Sequence, residues 1–284
     1  MRQSLVLLLV PAMVLLLSTS PSAAEVEELE LINRPVNMSG LTGLVFTTAP
    51  FTLPTRSLEI AVATLSEKST VPDFTVTELP ILSITAGIAQ NMELALKSSV
   101  FHITMNPGET SKGMGDTELS YKWNFLPQTE SSLYPAVALI ATGIAPTGDR
   151  DLNLGVVAHW GAKFGLSVGR EITWGDHVLI ACADGQIVVH DSTDERFRDT
   201  YGILNIGLLF PISKYRNLQG IVEYNMVNGI DKISDVGGDY TALTFGLRLV
   251  SERFNLTIGS QFLHKQVEGF ENASRVIGMA SIKF

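Results

Sequence analysis

Seven side chains carry the chemistry this sequence offers: Glu118, Lys122, His159, Lys163, Asp184, Glu223 and Arg248. All sit in segments where polar and apolar residues alternate, and all fall on the polar side. Glu59, Glu93, Lys97 and Asp116 extend the set. The signs are mixed, which suits ion pairs and polar guidance of a solute better than a ring selective for one charge. Metal chemistry finds no support. The five His residues (102, 159, 177, 190 and 264) form neither an H-E-x-x-H motif nor a His–Cys cluster. The acidic groups Asp149-Arg150-Asp151 and Asp191, Asp194, Glu195 lack the spacing of a calcium loop and read as solvated. Gly165-Leu166-Ser167-Val168-Gly169 fits G-x-S-x-G, but that nucleophile elbow needs a helix to follow, and no helical pattern does. No cofactor is expected. The lone Cys182 excludes an internal disulfide and reads as a small buried residue within LIACADG.

The elements that position these groups are strands. Period-two segments are expected near 57–65, 77–88, 92–103, 114–126, 132–145, 153–169, 176–190, 199–211, 217–229, 239–251, 253–265 and 274–284. In the fourth, Leu119, Tyr121, Trp123 and Phe125 oppose Glu118, Ser120, Lys122 and Asn124. In the tenth, Leu243, Phe245, Leu247 and Leu249 oppose Thr244, Gly246 and Arg248. These runs exceed the five or six residues usual in soluble sheets and match the nine to eleven of a tilted membrane-spanning strand. Their polar faces are rich in small residues, which suits a narrow lumen. The chain is 45% hydrophobic and 17% charged, yet the apolar run Leu5–Leu17 is too short for a spanning helix and no later stretch approaches the length of one.

An all-β fold follows: a closed antiparallel transmembrane β-barrel of twelve strands over residues 57–284, with both termini in the periplasm. Closure is required because lipid offers no partners to backbone N–H and C=O groups. The links support an even count. Those after odd strands (66–76, 104–113, 146–152, 191–198, 230–238, 266–273) are polar, while Ala89-Gln90-Asn91 and the region of Ser251-Glu252 are tight. Trp123, Phe125, Tyr134, Trp174, Phe210, Tyr215, Phe254 and Phe284 gather at the tight-turn rim, where amphipathic rings meet the membrane interface.

The chain ends agree. Arg2, the apolar run Leu5–Leu17 and Ser22-Ala23-Ala24 read as a cleaved export signal over residues 1–24. Residues 25–56, opening with Glu25, Glu27, Glu28 and Glu30, read as a periplasmic segment leading into the barrel. Phe284 closes an alternating strand, the ending by which outer-membrane barrels are recognised for assembly. The expected partners are outer-membrane lipid, the barrel assembly machinery and a small-molecule solute. A formal charge of −9 gives no reason to expect nucleic acid.

Three stretches resemble a known family. They are GLTGL at residues 40–44, GMGDTELSYKW at 113–123 and ALIATGIAPTGD at 138–149. Together they are similar to the outer-membrane transporter family named for the meta-pathway of phenol degradation. Gly115, Asp116, Leu119, Lys122 and Trp123 match its second motif, and Pro146-Thr147-Gly148 its third. Where the family pattern has Gly after Leu-Pro, this chain has Thr55-Arg56. The resemblance implies an outer-membrane channel for passive uptake of small solutes, hydrophobic or aromatic ones among them, and not an enzyme. Two other classes are a non-conducting structural or adhesive barrel and a lipase-type barrel. The second would need a Ser–His pair on the lipid face, for which Ser260 and His264 are the candidates.

Overall fold

The computed structural model describes residues 32–70, 73–105, 108–129, 133–149, 158–174, 177–191, 200–212, 216–230, 239–265 and 273–284. The export signal, the acidic cluster Glu25–Glu30, Arg150, Asp151, Asp194, Glu195 and Tyr215 lie outside the described residues.

Among the described residues there is no helix. The strands are β1 (Leu58–Thr70), β2 (Asp73–Ala89), β3 (Met92–Met105), β4 (Glu109–Met114), β5 (Thr117–Leu126), β6 (Ala136–Ala145) and β7 (Gly161–Trp174). They continue with β8 (His177–His190), β9 (Thr200–Pro211), β10 (Leu218–Gly229), β11 (Tyr240–Val250), β12 (Phe254–Lys265) and β13 (Ala273–Lys283). Neighbours pair antiparallel, and β1 closes on β13 from Glu59↔Lys283 to Lys68↔Ser274. Leu58 and Phe284 seal the seam by exchanging backbone hydrogen bonds at 3.1 and 2.7 Å.

Thirteen strands make a twelve-strand barrel because β4 and β5 share one position in the wall. β4 pairs with Val100–Met105 of β3, and β5 with Met92–Lys97. The single expected strand at 114–126 is therefore broken at Gly115-Asp116. The break is held by the loop motifs. Asp116 accepts hydrogen bonds from the backbone N–H of Gly148 at 2.7 Å and of Ala158 at 2.9 Å. Thr147 Oγ1 accepts the N–H of Thr117 at 2.8 Å. A carboxylate held in this way caps the turn instead of continuing the ladder.

The alternation faces opposite ways to a soluble sandwich. On β11, Leu243, Phe245, Leu247 and Leu249 are 46–48% exposed, while Thr244 and Arg248 are 0% exposed. The same holds around the ring, with Ile60, Leu96, Leu166, Ile206 and Ile258 outside and Glu93, Ser120, Ser167, Asn205 and Gln261 inside. An apolar belt this continuous is stable only against lipid. The aromatic rim is present at the tight-turn end, where Phe125, Tyr134, Phe210, Phe254 and Phe284 are exposed and Trp123 meets Phe125 edge to face at 5.8 Å.

Three sequence expectations need correcting. Of the strand expected at 153–169, residues 153–157 lie outside the described residues, and the described strand is Gly161–Trp174. The alternation extends across Arg170–Trp174, so the expected link at 170–175 shrinks, whereas Ala158–Trp160 form a turn with Ala158 at φ +66°. The links expected at 66–76 and 104–113 are mostly strand. Their Ser, Thr, Glu and Lys residues pair as hairpins that rise beyond the lipid-facing belt. Finally, the segment read as a periplasmic lead-in over 25–56 is, over residues 32–53, folded inside the barrel: Val36, Leu41, Leu44, Val45, Ala49, Phe51 and Leu53 are all buried, and the chain is exposed again at Pro54–Arg56.

Entry to β1 runs through a turn with one residue in the left-handed region. Ser57 N–H donates to Pro54 O at 3.1 Å, closing a turn in which Arg56 takes φ +67°. A side chain in this left-handed region costs about 1 kcal/mol, and glycine escapes the cost. Arg56→Gly is expected to stabilise the barrel by roughly 0.5–1 kcal/mol, read as a higher urea midpoint in micelles. An unchanged midpoint would show that the turn holds no strain.

Candidate functional site

The lumen is occupied, and its polar side chains are organised around the occupant. The segment enters at the tight-turn end, where Asn33 Nδ2 donates to Ser251 O at 3.3 Å and Gln219 Nε2 to Asn33 O at 3.2 Å. It leaves at the same end through Pro54 and Ser57. Between these points it folds on itself: bridges join Val36 to Thr42 and Gly43 to Thr48, and Asn37 Nδ2 donates to Thr47 O at 3.2 Å. The first resemblance motif supplies the turns. Gly40 takes φ +84°, and a Cβ on Gly43 would lie 2.3 Å from Thr47 O.

A loop buried in this way must find partners for every backbone polar group. The wall supplies them through four of the seven side chains singled out in the sequence. Glu223 accepts three successive N–H groups, from Val45 (3.2 Å), Phe46 (3.1 Å) and Thr47 (2.8 Å). Arg248 takes the carbonyls just before them, donating to Gly43 O at 3.0 Å and to Leu44 O, with Nε on Thr257 Oγ1. One short turn is thus bracketed by a cation on its C=O groups and an anion on its N–H groups. Asp184 accepts Thr48 N–H at 2.8 Å, and Ser167 donates to Thr48 O. Lys122 donates to Thr42 O at 3.1 Å and Ala49 O at 2.9 Å, and pairs with Glu93 at 2.8 Å. Glu93 accepts N–H groups from Thr42 and Leu53 and the Thr42 hydroxyl. Lys122 belongs to the second resemblance motif and Thr42 to the first, so two motifs far apart in sequence meet here.

Thr85, Glu93, Lys122, Asp184, Glu223 and Arg248 are each at most 1% exposed. These side chains are shut off from the bulk solvent. Val36, Met38, Leu44, Val45, Phe51 and Leu53 of the segment pack on Ala61, Ile81, Val178, Ile180, Cys182, Leu209, Ile221, Ile277 and Met279 of the wall. Arg34 lies over the Phe51 ring at 4.0 Å and 3.7 Å from the Glu171 carboxylate.

Towards the loop end the inner wall is polar and partly open. Glu118 joins Lys163 at 2.6 Å and Lys97 at 3.5 Å, with all three side chains between 15 and 19% exposed. Opposite them runs a hydrogen-bonded hoop. Asp184 accepts from Asn205 (3.2 Å), and Asn205 from Asn225 (3.0 Å). Asn225 accepts from Thr244 (2.8 Å) and Gln261 (2.9 Å). Gln261 accepts from Arg275 (2.9 Å), which pairs with Glu67 at 2.8 Å. The hoop crosses every strand from β8 round to β1.

Glu118 and Lys163 therefore belong to one cluster, and Lys122, Asp184, Glu223 and Arg248 to the seat of the inserted loop. His159 joins neither by the expected route: it sits in the turn before β7, not on a strand beside Lys163. The hoop's Asn205, Asn225, Thr244, Gln261, Arg275 and Glu67 were not singled out. A signal was available for all but Glu67, which falls in the expected link 66–76, because each of the others is a polar residue of a period-two run. Ser260 and His264 both lie on the outer face, four residues apart on β12. That spacing is about 13 Å along a strand, too far for a Ser–His hydrogen bond, so the lipase-type reading loses its only candidate pair.

Comparison with solved structures agrees with this architecture. The COG4313 outer-membrane channel from Pseudomonas putida F1 superposes with a TM-score of 0.62 at 12% identity, over 83% of this chain and 98% of that one. The KdgM porin, solved with disordered oligogalacturonate, gives 0.53 at 9% identity, over 80% and 99%. The NanC porin gives 0.51 at 10% identity, over 78% and 100%. No protein-family model matches the sequence, and no curated protein does. What is shared is the outer-membrane barrel fold.

Proposed function

We propose that this protein is an outer-membrane channel for passive uptake of small solutes, held closed in the present state by residues 32–57. The observation that carries the proposal is the path of the inserted segment. It enters and leaves at one end, so it can withdraw as a loop without unpairing any strand of the wall. The polar part of its seat is made of hydrogen bonds to side chains, which water can replace one by one. In this reading residues 1–24 direct export, the apolar belt sits in the outer membrane, the tight turns and both termini face the periplasm, and Phe284 serves the assembly machinery. Solutes pass the Lys97–Glu118–Lys163 cluster and then the space vacated above Glu93, Lys122, Asp184, Glu223 and Arg248. Charges of both signs favour neutral or weakly polar solutes, and the family resemblance favours hydrophobic or aromatic ones.

The filled lumen also favours a second reading, a barrel that never conducts. Cys182 separates the two. It is the only thiol in the chain, faces inward and is packed beneath the inserted segment. In a channel that opens, a small charged maleimide is expected to label Cys182 in the folded protein in proportion to measured conductance. A fully protected Cys182 together with zero bilayer conductance for every solute tested would establish the non-conducting barrel.

A further inference from the structure

The outward face of β1–β4 beyond the apolar belt has a composition that the channel does not explain. The belt ends at Val62, Leu79, Leu96 and Met114, all exposed. Beyond it the register aligns two rows across the strands. The first is Ser66, Thr77, His102 and Lys112; the second is Lys68, Thr75, Thr104 and Thr110. Inward neighbours fix their direction, since Glu67, Ser69 and Ile103 are buried on the lumen side. Lys68, Thr104, Thr110 and Lys112 are exposed. No Asp or Glu occupies either row, although the chain as a whole carries −9. Every position in the two rows is a hydroxyl, an imidazole or an ammonium.

We infer that this face binds the headgroup of a bis-phosphorylated glycolipid of the lipopolysaccharide type, in the outer leaflet around the barrel. Three features select that occupant. The face is continuous with the lipid-contacting belt, so acyl chains of a lipid seated on it run down Val62, Leu96 and Met114. Its charge is complementary to phosphate, with hydroxyl donors between the cations. Lys68 and Lys112 stand three strand spacings and one row apart, about 16 Å, so one phosphate cannot reach both, whereas a headgroup bearing two can. The long loops must face outward for this leaflet to be the right one, so the assignment rests on the orientation given under the proposed function.

The test is native mass spectrometry of the full chain in detergent, titrated with bis-phosphorylated lipopolysaccharide, its dephosphorylated form and phosphatidylglycerol. Lys68→Gln/Lys112→Gln is the variant. Both lysines are exposed, so the barrel is expected to stay folded, checked by its heat-dependent gel shift. At the contribution of one basic residue near an anionic lipid surface, the double variant should bind the phosphorylated glycolipid roughly 30-fold more weakly, and the wild type should bind the dephosphorylated form as weakly. Equal binding by wild type and variant overturns the site. Equal binding of phosphatidylglycerol overturns the choice of lipid. Bilayer conductance, measured separately, is expected to be the same for both proteins. A non-conducting wild type would defeat the channel reading while leaving the lipid result intact.

Discussion

A chain lacking residues 32–52 is expected to conduct roughly tenfold more than the full chain, because a twelve-strand ring lies between eight-strand barrels, which their own side chains fill, and the sixteen- to eighteen-strand porins with aqueous channels. The barrel itself should survive the deletion. The β1–β13 seam runs from Glu59↔Lys283 to Lys68↔Ser274, outside the removed residues, and the Pro54–Ser57 turn into β1 remains. What changes is the lining. Glu93, Lys122, Asp184, Glu223 and Arg248 lose the backbone groups they hold and acquire water. Val178, Ile180, Cys182 and Leu209 lose their apolar cover. Planar-bilayer conductance and Cys182 labelling should rise together. Equal conductance from the two chains would show that the wall collapses inward, or that the segment is not what closes the lumen.

The second large effect is expected from single charges in the seat. Lys122→Met leaves the Glu93 carboxylate at 0% exposure without its cation, and leaves Thr42 O and Ala49 O without that donor. Arg248→Met likewise strips Gly43 O and Leu44 O while Glu223 still holds the amides beside them. Breaking a buried pair by removing one partner costs about 3–5 kcal/mol. The cost falls on the docked segment and not on the wall, since undocking lets water reach the stranded group. Each variant should therefore keep its barrel, label faster at Cys182 and flicker between closed and conducting levels. A loss of the folded barrel, read as disappearance of the heat-dependent gel shift, would instead place these charges among the groups that hold the wall.

Much of this was legible in the sequence, for a local reason. Period-two alternation is a property of neighbouring residues, and closure in lipid follows from backbone hydrogen bonding alone. The faces of β5 and β11, the aromatic rim at Phe125, Phe210 and Phe254, and the terminal position of Phe284 could all be read without a partner strand in view. The errors came where local pattern is ambiguous. Residues 158–160 continue the alternating pattern of 161–174, yet they form a turn in which the Ala158 N–H is tied to Asp116. Residues 66–70 and 73–76 read as link because they are largely polar, yet they pair as a strand hairpin.

Lys122, Asp184, Glu223 and Arg248 show the boundary most clearly. Their types and their inward face are set by sequence, because a charge in a spanning strand must point away from lipid. What they bind is set by tertiary structure. Glu223 stands 176 residues from Thr47 and Arg248 205 from Gly43, and no periodicity reports contacts at that range. Residues 32–57 have neither strand nor helix pattern, so sequence alone leaves them outside as a linker. They are inside because the closed ring presents donors and acceptors at the depth where their turns need them. Local alternation specifies a barrel, and contacts across the closed ring fill its lumen.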